Sequence, residues 1–279
     1  MGSYLQQMGE EFRSLLFWRA VLAEFVGMTL FLFMGLGATS AFPSADGGNL
    51  RIAFAFGIAI ATFVHVTAHI SGGHLNPAVT LAFFSLHKIT LLRALMYVLA
   101  QMFGAVVGTG LIRAVTPTSI NGELGPTVIS SEISVGQGVL VEAVLTFQLV
   151  LTIFATVDPK RPSPGGSGPL AIGLSVFLGH VTGINYTGAS MNPARTFGSA
   201  VVGGNWSDQW VYWVGPILGG ILAAIIYDWF LDPNADMGRV QKCATCDYGD
   251  TPADEEDPGV QLGSAQSGQY NTFEEGDAP

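Results

Sequence analysis

The most distinctive chemistry in the sequence is a pair of identical tripeptides, Asn-Pro-Ala, at residues 76–78 and 192–194. Asn is a strong N-cap, and Pro is favoured at the first helical position because its missing N–H would have been unpaired there anyway. Each tripeptide opens an apolar segment, at 77–85 and 193–202, that spans only about half of a bilayer. The pattern predicts two half-length helices whose N-termini, with unpaired N–H groups and partial positive charge, disfavour cations.

Glu24, Glu142 and Arg195 lie in otherwise apolar segments. Ionisable side chains inside a membrane are costly, so each of these three residues marks a functional or structural site. Arg195, which directly follows the second tripeptide, is expected to face a water-filled path. Glu24 and Glu142 occupy equivalent positions in the two halves of the chain. This symmetry favours a role as acceptors for unpaired backbone N–H groups over the alternative role of a proton relay.

Matching residues recur at a constant spacing in the two halves of the chain, which indicates an internal duplication. Three pairs lie 116 residues apart and a fourth lies 118 residues apart. The pairs are Asn76 and Asn192, Gly72 and Gly188, Gly104 and Gly220, and Glu24 and Glu142. Each unit holds three full crossings, an odd number, so the second unit must enter the membrane from the opposite side. The half-helices are then expected to meet, N-terminus to N-terminus, near the midplane.

The composition predicts a membrane setting for these elements. Of the 279 residues, 49% are hydrophobic and 11% are charged, whereas about 25% are charged in typical soluble domains. The 36 glycines suit membrane helices, because small residues let such helices approach closely. Residues 232–279 hold 11 of the 21 acidic and 2 of the 11 basic residues, so most of the net charge of −10 lies in an acidic tail that is predicted to be disordered. Nucleic acid is not an expected partner of so acidic a chain.

Six apolar segments have the length of membrane-spanning helices. They are Ala20–Phe42, Ile52–Ile70, Ala94–Ile112, Val135–Val157, Pro169–Asn185 and Trp210–Leu231. We therefore expect an all-α membrane protein with six transmembrane helices and two re-entrant half-helices in an inverted repeat. The expected domains are a cytoplasmic N-terminus at 1–19, a membrane domain at 20–231 with repeats at about 20–112 and 135–231, and the cytoplasmic tail at 232–279.

Basic residues outside the apolar segments predict the orientation. With a cytoplasmic N-terminus, the inner side holds Arg13, Arg19, Lys88, Arg93, Lys160, Arg161, Arg239 and Lys242, and the outer side holds Arg51 and Arg113. Both termini are then cytoplasmic. Asn205, in an outer Asn-Trp-Ser sequence, is a candidate glycosylation acceptor. Cys243 and Cys246 lack a second cysteine pair, so neither a metal site nor a cofactor is predicted.

The paired tripeptides, the six helices and the inverted repeat resemble the aquaporin (major intrinsic protein) family over residues 18–231. The resemblance implies a homotetramer in the plasma membrane. It also implies that Asn76 and Asn192 donate side-chain hydrogen bonds to water at the midplane. The remaining residues of the two motifs are Pro77, Ala78, Pro193 and Ala194.

The resemblance places the outer constriction of the pore, an aromatic and arginine filter, on Phe56, His180, Ala189 and Arg195. From the residues alone, His180 could instead be a satisfied core histidine, and Phe56 is indistinguishable from a packing residue. Ala189 stands where several water-selective members have a cysteine, which argues against block by mercury.

Three features bear on the permeant. The filter holds His180 where glycerol-conducting members have a small residue, Thr196 follows Arg195 where those members have Asp, and Tyr212-Trp213 begins the last helix. These features resemble the orthodox water-selective type, the aquaporin-1 group. The resemblance therefore implies a passive water-selective channel that is driven by osmotic gradients and excludes protons and ions.

Two other functions remain open from the sequence. The chain could be a facilitator of other small neutral solutes, such as ammonia, CO2, H2O2 or urea, or a junctional membrane protein with weak water conductance. An enzyme is not expected, because the sequence has no nucleophile and base at a meaningful spacing and no phosphate-binding glycine loop after a strand.

Overall fold

The computed structural model describes residues 2–40, 48–120, 125–158 and 167–232, and this part of the chain is helical without any strand. Its helices are α1 (Gly2–Arg13), α2 (Leu15–Gly37), α3 (Gly48–Ser71), α4 (Pro77–Ser85), α5 (Leu91–Val115), α6 (Val135–Val157), α7 (Gly168–Thr187), α8 (Pro193–Gly203) and α9 (Val211–Ile226). A π-helical turn, Tyr227–Leu231, continues α9. Nearly all of the predicted acidic tail, including Cys243 and Cys246, lies outside the described residues.

Six of these helices are long and apolar enough to cross a membrane, namely α2, α3, α5, α6, α7 and α9 with its π-helical turn. The half-helices α4 and α8 have 9 and 11 residues. The predicted all-α membrane fold is therefore confirmed. The first spanning helix differs from the prediction, because it covers Leu15–Gly37 instead of Ala20–Phe42. The apolar residues before Ala20 lengthen this helix at its N-terminus. Ser14, whose backbone has a β-strand-like conformation, separates the helix from α1.

The two half-helices begin at the Asn-Pro-Ala motifs, as their capping chemistry predicts. Asn76 caps α4 by accepting a hydrogen bond from the N–H of Ala78 at 2.9 Å. Asn192 caps α8 by accepting bonds from the N–H groups of Ala194 at 3.1 Å and Arg195 at 3.2 Å. Each Pro stands at the first helical position, where no N–H is needed.

The N-termini of α4 and α8 meet through reciprocal hydrogen bonds. The Asn76 side-chain amide donates to the carbonyl oxygen of Met191 at 2.8 Å, and the Asn192 amide donates to the carbonyl oxygen of Leu75 at 2.8 Å. Each capping residue thus binds the loop before the opposite half-helix. This reciprocity is the geometry expected of an inverted repeat, and it joins the two repeats at their most interior point.

Glycine lets the spanning helices touch through their backbones. A Cβ on Gly108 of α5 would overlap a carbonyl oxygen of α2, and a Cβ on Gly219 of α9 would overlap a carbonyl oxygen of α6. The two helix pairs, α2 with α5 and α6 with α9, occupy equivalent places in the two repeats. Between the repeats, Gly57 of α3 and Gly173 of α7 each lie against the other's carbonyl oxygen. Such close approach replaces the hydrophobic drive that lipid does not supply.

The distribution of polar side chains is the reverse of that in a soluble protein. Many large apolar side chains are more than half exposed on the outer faces of the helices, among them Leu22, Leu95, Leu140, Leu174 and Leu222. Fully buried polar side chains lie in the interior, among them Glu24, Thr80, Gln101, Glu142 and Thr146. An apolar exterior around a polar interior suits a lipid surround with a polar path inside.

We expect Gly219→Ala to destabilise the helix bundle, because the added Cβ would collide with the backbone oxygen of Ala143. Overpacking of this kind costs about 1–3 kcal/mol. Gly110→Ala in α5 is the matched control, since a Cβ there meets nothing within 4 Å. Thermal unfolding of both variants in mild detergent checks this, and equal midpoints would contradict the assigned contact.

Candidate functional site

The loop before α4 is held by one buried carboxylate. Glu24, which is fully buried, accepts hydrogen bonds from the N–H of His74 at 2.9 Å and the N–H of Leu75 at 2.7 Å. It also accepts bonds from the Ser71 hydroxyl at 2.7 Å and the Gln101 side-chain amide at 2.8 Å. Both carboxylate oxygens are therefore engaged, and two loop N–H groups that cannot reach water obtain an acceptor.

Glu142 makes the equivalent contacts with the loop before α8. It accepts hydrogen bonds from the N–H of Ser190 at 2.9 Å, the N–H of Met191 at 2.8 Å and the Thr187 hydroxyl at 2.6 Å. The hydroxyl of Tyr212 donates to the carbonyl oxygen of Thr187 at 2.9 Å. In the first repeat, the hydroxyl of Tyr97 donates in the same way to the carbonyl oxygen of Ser71 at 2.9 Å. These contacts are what a structural acceptor requires.

The loops hold non-glycine residues in the left-handed backbone region. Leu75 and Met191, which immediately precede the two motifs, have φ values of 48° and 52°, and Ala189 has a φ of 51°. This conformation is uncommon for such side chains and persists only where neighbours enforce it. In both loops the strained residue next to the motif donates its N–H to the buried carboxylate. The carboxylates therefore set the direction in which the motif asparagines point.

A cavity passes the meeting point of the half-helices. Asn76 and Asn192 line it at the centre, and each side-chain amide donates only one of its two hydrogens to the described residues. His180 lines one end, and Arg93 lines the other. Most of the remaining wall is apolar, including Phe31, Ile60, Val64, Val79, Leu149 and Val176. A small polar molecule in this cavity would therefore find few hydrogen-bonding groups apart from those at the centre and ends.

Phe56 and Arg195 group with His180, the one member of the three that lines the cavity. The rings of Phe56 and His180 are stacked with their centroids 4.6 Å apart, and the Arg195 guanidinium carbon lies 5.2 Å from the Phe56 ring centroid. Arg195 Nη1 donates to the carbonyl oxygen of Gly125 at 2.7 Å and to the Ser199 hydroxyl at 3.3 Å. The guanidinium is thus fixed against one wall.

The polar atoms of this group are incompletely paired. His180 Nδ1 donates to the Val176 carbonyl oxygen at 2.9 Å, so Nε2 is the acceptor nitrogen of the neutral ring. Within the described ranges, neither His180 Nε2 nor Arg195 Nε has a hydrogen-bond partner, although both atoms are buried. Buried polar groups usually find a partner, often an ordered water. An acceptor and a donor are therefore left for a polar molecule at this narrow end.

Ala189 lies fully buried in the loop before α8. Its N–H donates to the Thr187 hydroxyl at 3.2 Å, and its Cβ packs against the position of Gly183. Asn205 lies between α8 and α9 in a partly exposed segment, where its side-chain oxygen accepts the N–H of Ser207 at 3.1 Å.

Sequence reasoning missed several residues that support the site. The Gly125 carbonyl oxygen, which holds Arg195, carries no signal in the sequence because any residue supplies that group. Gln101 could have been found, since an amide side chain in the apolar run of α5 requires a buried partner. His74 lies in the loop before α4. The structure shows it lining the cavity with its ring Nδ1 3.2 Å from the Thr80 hydroxyl.

The chain is similar to known proteins over most of its length. The family model for "Major intrinsic protein" matches residues 11–227. Aquaporin-4 of Bos taurus is 48% identical over 227 residues, which are 80% of this chain and 70% of that protein. Aquaporin-1 of Pongo abelii is 47% identical over 235 residues, which are 82% of this chain and 87% of that protein.

A solved structure shows the same fold. The X-ray structure of the aquaglyceroporin from Plasmodium falciparum superimposes with a TM-score of 0.70 at 28% sequence identity, covering 78% of this chain and 98% of that chain. The family model and the relatives both extend over most of the chain. The chain therefore belongs to the major intrinsic protein, or aquaporin, family.

Proposed function

We propose that the chain is a passive water-selective channel, driven by osmotic gradients, that excludes protons and ions. The observation that carries this proposal is the cavity with the two Asn-Pro-Ala asparagines in its wall, beside which Phe56 and Arg195 group with the lining residue His180. The names of the relatives, aquaporin-4 and aquaporin-1, support the same permeant.

Size selection would come from the stacked rings of Phe56 and His180, with Ala189 and Arg195 on the remaining walls. A small residue in place of His180 would open the cavity toward larger solutes, because the imidazole occupies the space beside Phe56. The unpaired His180 Nε2 and Arg195 Nε would replace part of the hydration of a passing water molecule. Selectivity of this kind depends on diameter and on the hydrogen-bonding groups that line the path.

Charge selection would come from two places. At the centre, the N-termini of α4 and α8 both point their partial positive charges at the path, while Asn76 and Asn192 each offer a free N–H donor. At the narrow end, Arg195 adds a full positive charge. A proton or other cation would meet both barriers in turn.

We assign Glu24 and Glu142 to loop support and not to proton transfer. Each carboxylate accepts two loop N–H groups and a hydroxyl, and neither lines the cavity. A proton relay would need access to the path, which these contacts obstruct.

The proposed setting is the plasma membrane with both termini in the cytoplasm, in accordance with the distribution of basic residues. The channel domain would cover 20–231, flanked by cytoplasmic segments at 1–19 and 232–279. In this orientation Arg93 lies at the cytoplasmic end of the cavity and His180 at the outer end. Asn205 would face the outside, where its partial exposure suits glycosylation.

We further propose that copies of the chain associate as a homotetramer, the state implied by the family resemblance. The support lies on the outer face of α3, where Thr62, His65 and His69 are exposed. Polar and ionisable side chains in membrane helices usually face protein or water. By contrast, the exposed face of α5 from Leu95 to Leu111 is entirely apolar, which suits lipid. A neighbouring copy would cover α3, and lipid would cover α5.

Proteoliposomes test the proposed permeant and filter together. Proteoliposomes that contain the unmodified chain should shrink osmotically and take up no glycerol. Those that contain His180→Ala should take up glycerol while still largely excluding protons. Adding Arg195→Val to His180→Ala should increase proton leakage. The helix N-termini at the centre should still prevent this double variant from conducting protons as freely as water. Leu178→Ala, which removes an exposed side chain from the same helix, is the control. Glycerol exclusion by the double variant would refute this placement of the filter.

Mercury provides a second test of the narrow end. Ala189 supplies no thiol there, so mercuric ion should not rapidly block water flow through the unmodified chain, whereas Ala189→Cys should create a block that thiols reverse. Thr182→Cys, on the exposed face of α7, should remain insensitive as the matched control. Osmotic shrinkage before and after mercuric chloride measures the difference. Rapid inhibition of the unmodified chain would show that the geometry is wrong.

The assembly is tested by bulky substitutions on the two contrasting faces. Thr62→Trp should disrupt association, because it adds volume where a second copy is expected, whereas Leu99→Trp on the apolar face of α5 should not. Native mass spectrometry in mild detergent should find four copies of the 29.4 kDa chain in the unmodified protein and in Leu99→Trp. Intact tetramers of Thr62→Trp would contradict the assigned face.

A further inference from the structure

Helix α1 is fixed to the start of α5 by polar contacts. Glu11 Oε1 accepts a hydrogen bond from Arg93 Nε at 2.6 Å, and Glu11 Oε2 accepts one from the Thr90 hydroxyl at 2.5 Å. Nearby, the N–H of Leu91 donates to the Tyr4 hydroxyl at 2.9 Å. Glu11 thus uses both carboxylate oxygens on the turn that begins α5, although it lies on a separate helix.

Arg93 belongs to the wall of the cavity as well as to this ion pair. It lines the cytoplasmic end together with Ile89 and Val157. Its Nη1 lies 3.4 Å from the Tyr97 hydroxyl, and its guanidinium carbon lies 5.8 Å from the ring centroids of Phe17 and Tyr97. The side chain therefore lies against the wall, with its charge directed toward α1 and α2.

The two arginines of the path are held in different ways. Arg195 is bound by the carbonyl oxygen of Gly125 and by the hydroxyl of Ser199. Arg93 is 20% exposed, and a carboxylate on α1 pairs with it. A long, partly exposed side chain has more rotamers available once a charged partner is lost. The ion pair with Glu11 therefore links the position of Arg93 at the mouth to the docking of α1.

We propose that Glu11 is a positioning residue for water flow, through which α1 holds Arg93 away from the path and keeps the cytoplasmic mouth open. This inference rests on the proposed water-channel function. Without the Glu11 carboxylate, the Arg93 guanidinium turns into the mouth for part of the time. There it narrows the path and holds water molecules by hydrogen bonds, and both effects slow water flow. Glu11 itself lies outside the cavity wall and acts only through Arg93.

A pair of substitutions in two backgrounds tests this role. Glu11→Gln keeps the shape of the side chain and removes its charge. If the freed Arg93 occupies the mouth half of the time, water permeability per inserted chain falls about twofold. Arg93→Met keeps the apolar stem and removes the guanidinium, so adding Glu11→Gln to it should have no further effect. Stopped-flow shrinkage of proteoliposomes, normalised to the amount of inserted protein, measures all four proteins.

The result separates positioning from a structural role of α1. An equal fall in both backgrounds, or no fall with Arg93 present, overturns the proposal. Lys88→Gln is the control, since it removes an ion pair with Asp228 at 3.1 Å that does not line the cavity, and it should leave permeability unchanged. If Glu11→Gln fails to insert into the membrane, Glu11→Ala replaces it, and its water permeability is compared in the same two backgrounds. Failure of the unmodified chain to conduct water would instead refute the proposed function.

Discussion

Backbone N–H groups that lie deep in a membrane need acceptors, and the organisation of this protein depends on how it supplies them. The loops before α4 and α8 leave their N–H groups out of reach of bulk water, and a buried glutamate in each repeat accepts them. Unsatisfied groups at that depth would cost several kcal/mol each, on the order estimated for transfer to an apolar medium. With the acceptors in place, the chain can interrupt a helix at mid-membrane and point two asparagine amides into one cavity.

The duplicated framework also shows where the two repeats have diverged. Positions 116 residues apart keep the same role in the loops, as with Ser71 and Thr187, which both donate a hydroxyl to the glutamate. They differ at the third position after each motif asparagine, since Val79 in the first repeat is replaced by Arg195 in the second. The symmetric residues therefore build the path, and the asymmetric ones give its two ends different chemistry.

The fold was predictable from the sequence because its signals are local or periodic. Segment length, the capping chemistry of Asn-Pro and the 116-residue spacing can each be recognised from residue type and position in the sequence alone. The site was predictable in part. Arg195 stands out as a charge in an apolar segment, whereas the residues that fix it do not, because the Gly125 oxygen is an ordinary backbone group. The stacking of Phe56 on His180 depends on the packing of α3 against α7, which composition does not determine.

The contact between Gly57 and Gly173 has a consequence for how solute moves. Carriers built from inverted repeats rock one repeat against the other around a fixed site. Here the two repeats touch backbone to backbone at these glycines and exchange hydrogen bonds through the two motif asparagines, so rocking would break the interior contacts that define the cavity. Movement through it therefore needs no cycle of the protein. Flux should rise in proportion to the driving gradient without saturation, and its activation energy should approach that of diffusion in bulk liquid.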